Sequence, residues 1–274
     1  MVQLLNTNTS VKSFHIELNP IQTEDVATNL SKAIADHPNV DDVVLNKCGV
    51  GQKDAVMKSI LPLLCLKEVY LDGNHIGSYG AKLISDSLAT NPTLQKLYLQ
   101  GNLLNDTDAK NLSKSLKTNT NLRMLDLSLN IITLDGKRSL ALSVIDISCL
   151  NSDSNSTSLN AVSESNHTCL VKFTDEEDVL SLGQFNRYAD PVSNKNIKLF
   201  GVLQRYHLKE DTPLQIIPKV LALLHNVARN QLDALFRFMK EWNMPLLYTS
   251  RLGKEPRRSK RIRKKMVTEF MGKK

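Results

Sequence analysis

One unit recurs along the first half of this chain, and no other feature restricts its fold as much. The unit starts at Val11, Val40, Leu66, Leu94 and Leu122, at spacings of 29, 26, 28 and 28 residues. Three copies carry it most clearly: Leu66-Lys-Glu-Val-Tyr-Leu-Asp-Gly-Asn74-His-Ile76, Leu94-Gln-Lys-Leu-Tyr-Leu-Gln-Gly-Asn102-Leu-Leu104 and Leu122-Arg-Met-Leu-Asp-Leu-Ser-Leu-Asn130-Ile-Ile132. Each reads L-x-x-L-x-L-x-x-N/C-x-L. Two earlier copies keep the register in degraded form, with Val11, Phe14, Ile16, Asn19 and Ile21, then Val40, Val43, Leu45, Cys48 and Val50.

The spacing has a physical cause. Side chains alternate across a strand, so the fourth and sixth positions share an inner face and the residues between them point outward. One unit cannot cover that inner face alone. Stacking the units covers it and makes the strands parallel, about 4.8 Å apart. The column Asn19, Cys48, Asn74, Asn102, Asn130 falls where the chain turns inward, and a buried amide there bonds the loop backbone of its own and adjacent units. Those asparagines are expected to be structural.

A helical period follows each strand. Ala81, Ile84, Ser85 and Leu88 correspond to Ala109, Leu112, Ser113 and Leu116, and to Lys137, Leu140, Ala141 and Val144. All fit i, i+3, i+4, i+7, one buried helix face. His37-Pro38-Asn39, Thr90-Asn91-Pro92-Thr93 and Thr118-Asn119-Thr120-Asn121 supply turns between helix and next strand. The 28-residue unit with a full helix, opened by Gly77, Gly80 and Ala81, resembles the ribonuclease-inhibitor-like subclass of leucine-rich repeats over residues 11 to about 145. The resemblance implies protein–protein recognition on the concave strand face.

Past Val144 the register weakens through a Ser/Asn run at residues 151–158, and Leu170-Val171-Lys172-Phe173 is expected to form a degenerate terminal repeat. Composition changes from Asp175. Ile197, Phe200, Leu203 and Tyr206, then residues 218–225, then Leu232, Leu235, Phe236, Met239 and Trp242 suggest three helices closing the raw end of the stack. The expected architecture is an α/β leucine-rich-repeat solenoid over 1–174, with strands on the concave face and helices on the convex one. A helical cap over 175–250 and a basic tail over 251–274 complete it.

Charge separates the tail from the body. Of the net +7, residues 251–274 hold eleven Lys/Arg against two acidic residues, leaving the rest at about −2. Cys48, Cys65, Cys149 and Cys169 lie far apart without metal-ligand spacing, and are expected to be buried reduced thiols rather than disulfides or metal ligands. The opening Met1-Val-Gln-Leu-Leu-Asn6 has no basic region followed by an apolar run, and no stretch reaches the roughly 18 apolar residues that span a bilayer. An intracellular protein, cytoplasmic or nuclear, is expected. The glycosylation-like tripeptides at Asn111, Asn155 and Asn166 are then coincidental. No cofactor is expected, because no phosphate-cradling glycine loop and no H-E-x-x-H or G-x-S-x-G pattern occurs. The six histidines are scattered, and the chain is not expected to be an enzyme.

Recognition is expected at the outward strand positions. These are His15, Val44, Tyr70, Tyr98 and Asp126 in one row and Glu17, Asn46, Asp72, Gln100 and Ser128 in the next. Tyr70 and Tyr98 fall on neighbouring strands, and tyrosine buries much area at low entropic cost. The same positions favour aromatics for sheet reasons alone, in which case the pair covers its own sheet. In the tail, Arg257, Arg258, Lys260, Arg261, Arg263, Lys264 and Lys265 read as an import-receptor signal, a nucleic-acid contact, a basic membrane helix or a solvated tail. Three functions follow: a non-catalytic module binding a protein partner, a small-GTPase regulator resembling the Ran GTPase activators, and a nucleic-acid or membrane tether.

Overall fold

The computed structural model describes residues 5, 7–144, 165–173, 186, 190–192, 194, 195 and 198. All belong to the first of two units, Met1–Leu199 and Phe200–Lys274. Apart from those few positions, the expected helical cap and the whole basic tail lie outside the described residues, as does Cys149.

Six short strands, β1 (Ser13–His15), β2 (Asp42–Val44), β3 (Glu68–Tyr70), β4 (Lys96–Tyr98), β5 (Met124–Asp126) and β6 (Leu170–Lys172), form one sheet in chain order. Every pairing is parallel. Val69 lies opposite Leu97 and Leu97 opposite Leu125, so the fourth-position residues form a common interior row. Those three are at most 1% exposed, which is the burial the stacking argument requires. The terminal repeat anticipated at Leu170 supplies β6.

Helices α1 (Glu24–Ala35), α2 (Asp54–Ser59), α3 (Ser78–Ala89), α4 (Asp106–Thr118) and α5 (Leu134–Val144) follow the first five strands. The anticipated faces of α3 and α4 are buried throughout, as are Leu140, Ala141 and Val144 of α5. Lys137 is an exception: it stays half-buried, with its ammonium 5.5 Å from the Phe173 ring centre. Helix α4 begins with a reciprocal cap. Asn105 Oδ1 accepts from the Thr107 and Asp108 amides at 2.8 and 3.2 Å, while the Asp108 carboxylate accepts from the Asn105 amide at 3.0 Å. The short second unit replaces a full helix with α2 and a 3-10 turn, Leu61–Cys65, where Pro62 has no N–H to continue the helix.

The asparagine column ties the units together. Asn74 Oδ1 accepts from Cys48 N (2.9 Å) and Val50 N (3.3 Å), and its Nδ2 donates to Leu45 O (2.7 Å). Asn102 repeats this one unit on, accepting from Asn74 N and Ile76 N at 3.0 Å and donating to Leu71 O and Leu99 O. Asn130 accepts from Leu104 N at 3.1 Å. Cys48 takes the same place with a weaker donor, its thiol 3.1 Å from Ile16 O. Asn19, at the first unit, is exposed.

A second asparagine system links the helix-to-strand turns. Asn119 donates to Leu88 O at 2.8 Å and accepts from Leu122 N at 2.8 Å. Asn166 donates to Leu116 O and Asn119 O, both at 2.7 Å. Buried and committed in this way, Asn166 does not present a glycosylation site in this fold. Beside it lies an unexpected buried lysine. Lys198 is 1% exposed and donates to Val144 O and Asn166 O at 2.6 Å, and burial pushes its amine down to about 7.

Cys48 and Cys169 are buried free thiols, both pushed above the usual thiol range by burial. Cys65, expected to be buried, is exposed. It ends the 3-10 turn of the irregular second unit, where no full helix carries it inward. Among the described residues, no helix is long and apolar enough to cross a membrane and no group of three His, Cys, Asp or Glu is placed to hold a metal ion.

Candidate strand-face interface

Register decides which side chains meet on the strand face. His15, Val44, Tyr70, Tyr98, Asp126 and Lys172 form one row across the six strands. Side chains at one register on neighbouring parallel strands stand about 4.8 Å apart, close to the separation of stacked rings. The Tyr70 and Tyr98 rings are stacked, with centroids 4.2 Å apart and planes at 5°.

The stack is held at its edge by Glu68. The Tyr70 hydroxyl donates to the Glu68 carboxylate at 3.0 Å, and Lys96 pairs with that carboxylate at 2.8 Å. Burial first, then the Glu68 carboxylate, push the Tyr70 hydroxyl well above the usual phenol range. The hydrogen bond to Glu68 raises the Lys96 amine. Neither Glu68 nor Lys96 was singled out from sequence. The signal existed, because the third consensus position points outward by the same alternation as the fifth.

The seventh-position row is wired differently. Asn46 Oδ1 accepts from Asp72 N at 2.9 Å, and Asp72 Oδ1 accepts from Gln100 N at 2.8 Å. Asn46 Nδ2 donates to Glu17 at 3.2 Å. Burial pushes the Asp72 carboxyl above the usual range, the Gln100 N–H opposes that shift, and Asp126 and Glu17 add to it.

Three residues in the expected rows are buried. Val44, between His15 and Tyr70 in register, is only 6% exposed: a short side chain flanked by two larger ones. Asp126 is 3% exposed, its carboxylate 3.3 Å from the Lys172 ammonium and accepting from Ser128 N at 2.9 Å. Ser128 is 5% exposed and its hydroxyl has no hydrogen-bond partner. Of the remaining expected site residues, His15 and Glu17 are exposed, and Asn46, Tyr70, Asp72, Tyr98 and Gln100 are half-buried. Arg257, Arg258, Lys260, Arg261, Arg263, Lys264 and Lys265 lie outside the described residues.

Ser13, His15 and Asp42 come together at the first two strands. Ser13 Oγ is 2.5 Å from His15 Nε2 and donates to the Asp42 carboxylate, which lies 3.6 Å from the same ring nitrogen. A nucleophilic triad places the carboxylate on the opposite ring nitrogen, so that Nε2 is free to take the hydroxyl proton. Here hydroxyl and carboxylate both crowd Nε2, an arrangement that does not activate the serine.

A family model described as "Leucine Rich repeat" matches residues 90–113 and 118–141. No curated protein matches. Among solved structures, the chain is similar to the actin-binding site 2 of leiomodin-1 at 13% identity and a TM-score of 0.36, covering 80% of this chain and 94% of that one. It is also similar to the C-terminal domain of tropomodulin from Caenorhabditis elegans at 11% identity and a TM-score of 0.37, covering 76% and 94%.

Proposed function

For a leucine-rich-repeat protein built this way, we propose that function is non-catalytic capture of a protein partner on the concave strand face, centred on Tyr70 and Tyr98. The observation that carries this is the stacked pair itself, half-buried on the third and fourth of six strands and held by Glu68 and Lys96. Rings fixed before binding lose little rotamer freedom when a partner covers them. The pair stands among Asn46, Asp72 and Gln100, a mixed polar surround of the kind that flanks aromatic anchors. Six strands span on the order of 25 Å. A standard interface uses roughly 800 Å² per side, so the face suits one helix or loop, or a small domain helped by the flanks.

We also read the repeats as the ribonuclease-inhibitor-like subclass. The 28-residue spacing and the helices of 11 to 13 residues after β3, β4 and β5 support that.

Replacing Tyr70 and Tyr98 together with Ala tests the function. Partner capture from native cells should fall at least about tenfold, as loss of an aromatic anchor does, with an unchanged circular dichroism spectrum. Equal capture by parent and variant would end this reading.

A further inference from the structure

The rows of the strand face carry a charge opposite to that of the whole chain. At the third, fifth and seventh positions of the repeats stand five carboxylates, Glu17, Asp42, Glu68, Asp72 and Asp126, against two lysines, Lys96 and Lys172. The two lysines are already committed to Glu68 and Asp126. Asp42 is occupied by Ser13 and His15. Among the described residues no cation pairs with Glu17 or Asp72. Asp72 is half-buried and accepts the Gln100 N–H; Lys172 attracts it from a distance, but burial first, then Asp126 and Glu17, outweigh that attraction, so a further cation beside it is favourable.

The other end of the same face is apolar at its rim. Leu129 and Ile131 are each 61% exposed and Leu103 is 49% exposed. Leu103 and Ile131 hold the same place in adjacent units, one residue past Asn102 and Asn130. Leu129 follows Ser128 of the seventh-position row and has φ +55, where the third and fourth units place Gly73 and Gly101. A leucine in that region is strained, and its largely exposed side chain adds apolar surface to the rim.

We propose that the occupant of this face is an amphipathic, lysine- and arginine-bearing segment of a partner protein. Its cations meet Glu17 and Asp72 beside the first three units, and its apolar side chains cover the Tyr70–Tyr98 stack and the Leu103, Leu129 and Ile131 rim. The inference rests on the strand-face reading above and adds the chemistry and direction of the bound segment. Nucleic acid does not fit the same surface, because its phosphates are repelled by the unpaired carboxylates.

The test compares three full-length proteins on an array of random peptides of varied net charge: the parent, Glu17→Gln/Asp72→Asn and Tyr70→Ala/Tyr98→Ala. All three carry the basic tail, so attraction of acidic peptides to it cancels in the differences. Asp72→Asn keeps an oxygen for the Gln100 amide. Neutralising the two carboxylates should weaken basic amphipathic peptides about fivefold or more, the scale of two exposed ion pairs, and leave acidic peptides unchanged. Equal binding of basic peptides by parent and neutralised protein overturns the inference, as does a loss confined to acidic or neutral peptides. If the tyrosine variant loses peptides while the neutralised one does not, strand-face binding stands and the basic segment falls. If no peptide depends on the tyrosines, both fall.

Discussion

Leu129 occupies one of five equivalent positions, each just before the asparagine column, where the chain turns with positive φ. The others are Leu18, Lys47, Gly73 and Gly101, with φ between +56 and +66. Only glycine enters that region without a clash between Cβ and the following carbonyl, so each non-glycine residue there is strained by about 1–2 kcal/mol. Leu129→Gly should raise stability by about 0.5–1 kcal/mol after the greater freedom of glycine in the unfolded chain is discounted. The urea midpoint measures it, and a drop would mean that the leucine packs. Asp72 makes a pH-dependent case. Burial raises its carboxyl, so as pH increases the unfolded chain releases this proton first. Stability is therefore lost across a window opening near the ordinary value of 3.8, and the loss persists at neutral pH. Asp72→Asn should melt higher than the parent at pH 7 and level with it at pH 3. Equal melting at both pH values would show that the carboxylate is not destabilising.

Between elements, the repeat is held by amides as much as by leucines. Each loop after a strand leaves backbone groups in the interior, and the next unit's asparagine satisfies two N–H groups while donating to carbonyls on both sides. Removing such a side chain strands every partner at once, at about 1–3 kcal/mol for each buried group left unsatisfied. Asn102→Ala should therefore lower stability by more than about 3 kcal/mol, while Asn19→Ala, at the exposed end of the same column, should shift it by less than about 0.5 kcal/mol. Equal losses at the two positions in denaturant titrations would contradict the ladder. Identity within the column matters less than the capacity to donate inward, since Cys48 fills one rung through its thiol.

Across the molecule, each unit is buried only by its neighbours, so protection should be graded along the stack. Val69, Leu97 and Leu125 are sealed, whereas Phe14 and Ile16 of the first unit are only partly covered. Stability in such arrays is close to a sum of unit and interface contributions, and ends open first. Hydrogen exchange should be slowest at the Leu71 and Leu99 amides, which donate to Tyr98 O and Asp126 O, and at least about tenfold faster at the Ile16 amide, which donates to Val44 O. Uniform protection would mean that the six strands open as a single cooperative body.

The recurrence of Leu66, Leu94 and Leu122 was enough to place the parallel strands, their interior row, the buried faces of α3 and α4 and the bridging role of Asn74 and Asn102. Periods of two and 3.6 encode which way a side chain points, and an exact register repeats that decision in every unit. The same periods put Tyr70 beside Tyr98, but not flat against it, because that geometry depends on Glu68 and Lys96 reaching across from two strands. Nor did they hide Val44 and Asp126, whose exposure depends on the size and charge of the residue one unit away. Lys198 stayed invisible for the same reason: a lysine reads as surface until the carbonyls of Val144 and Asn166, distant in the chain, are brought to its amine. Direction is local and written in the sequence, whereas burial is set between units and is decided only when they stack.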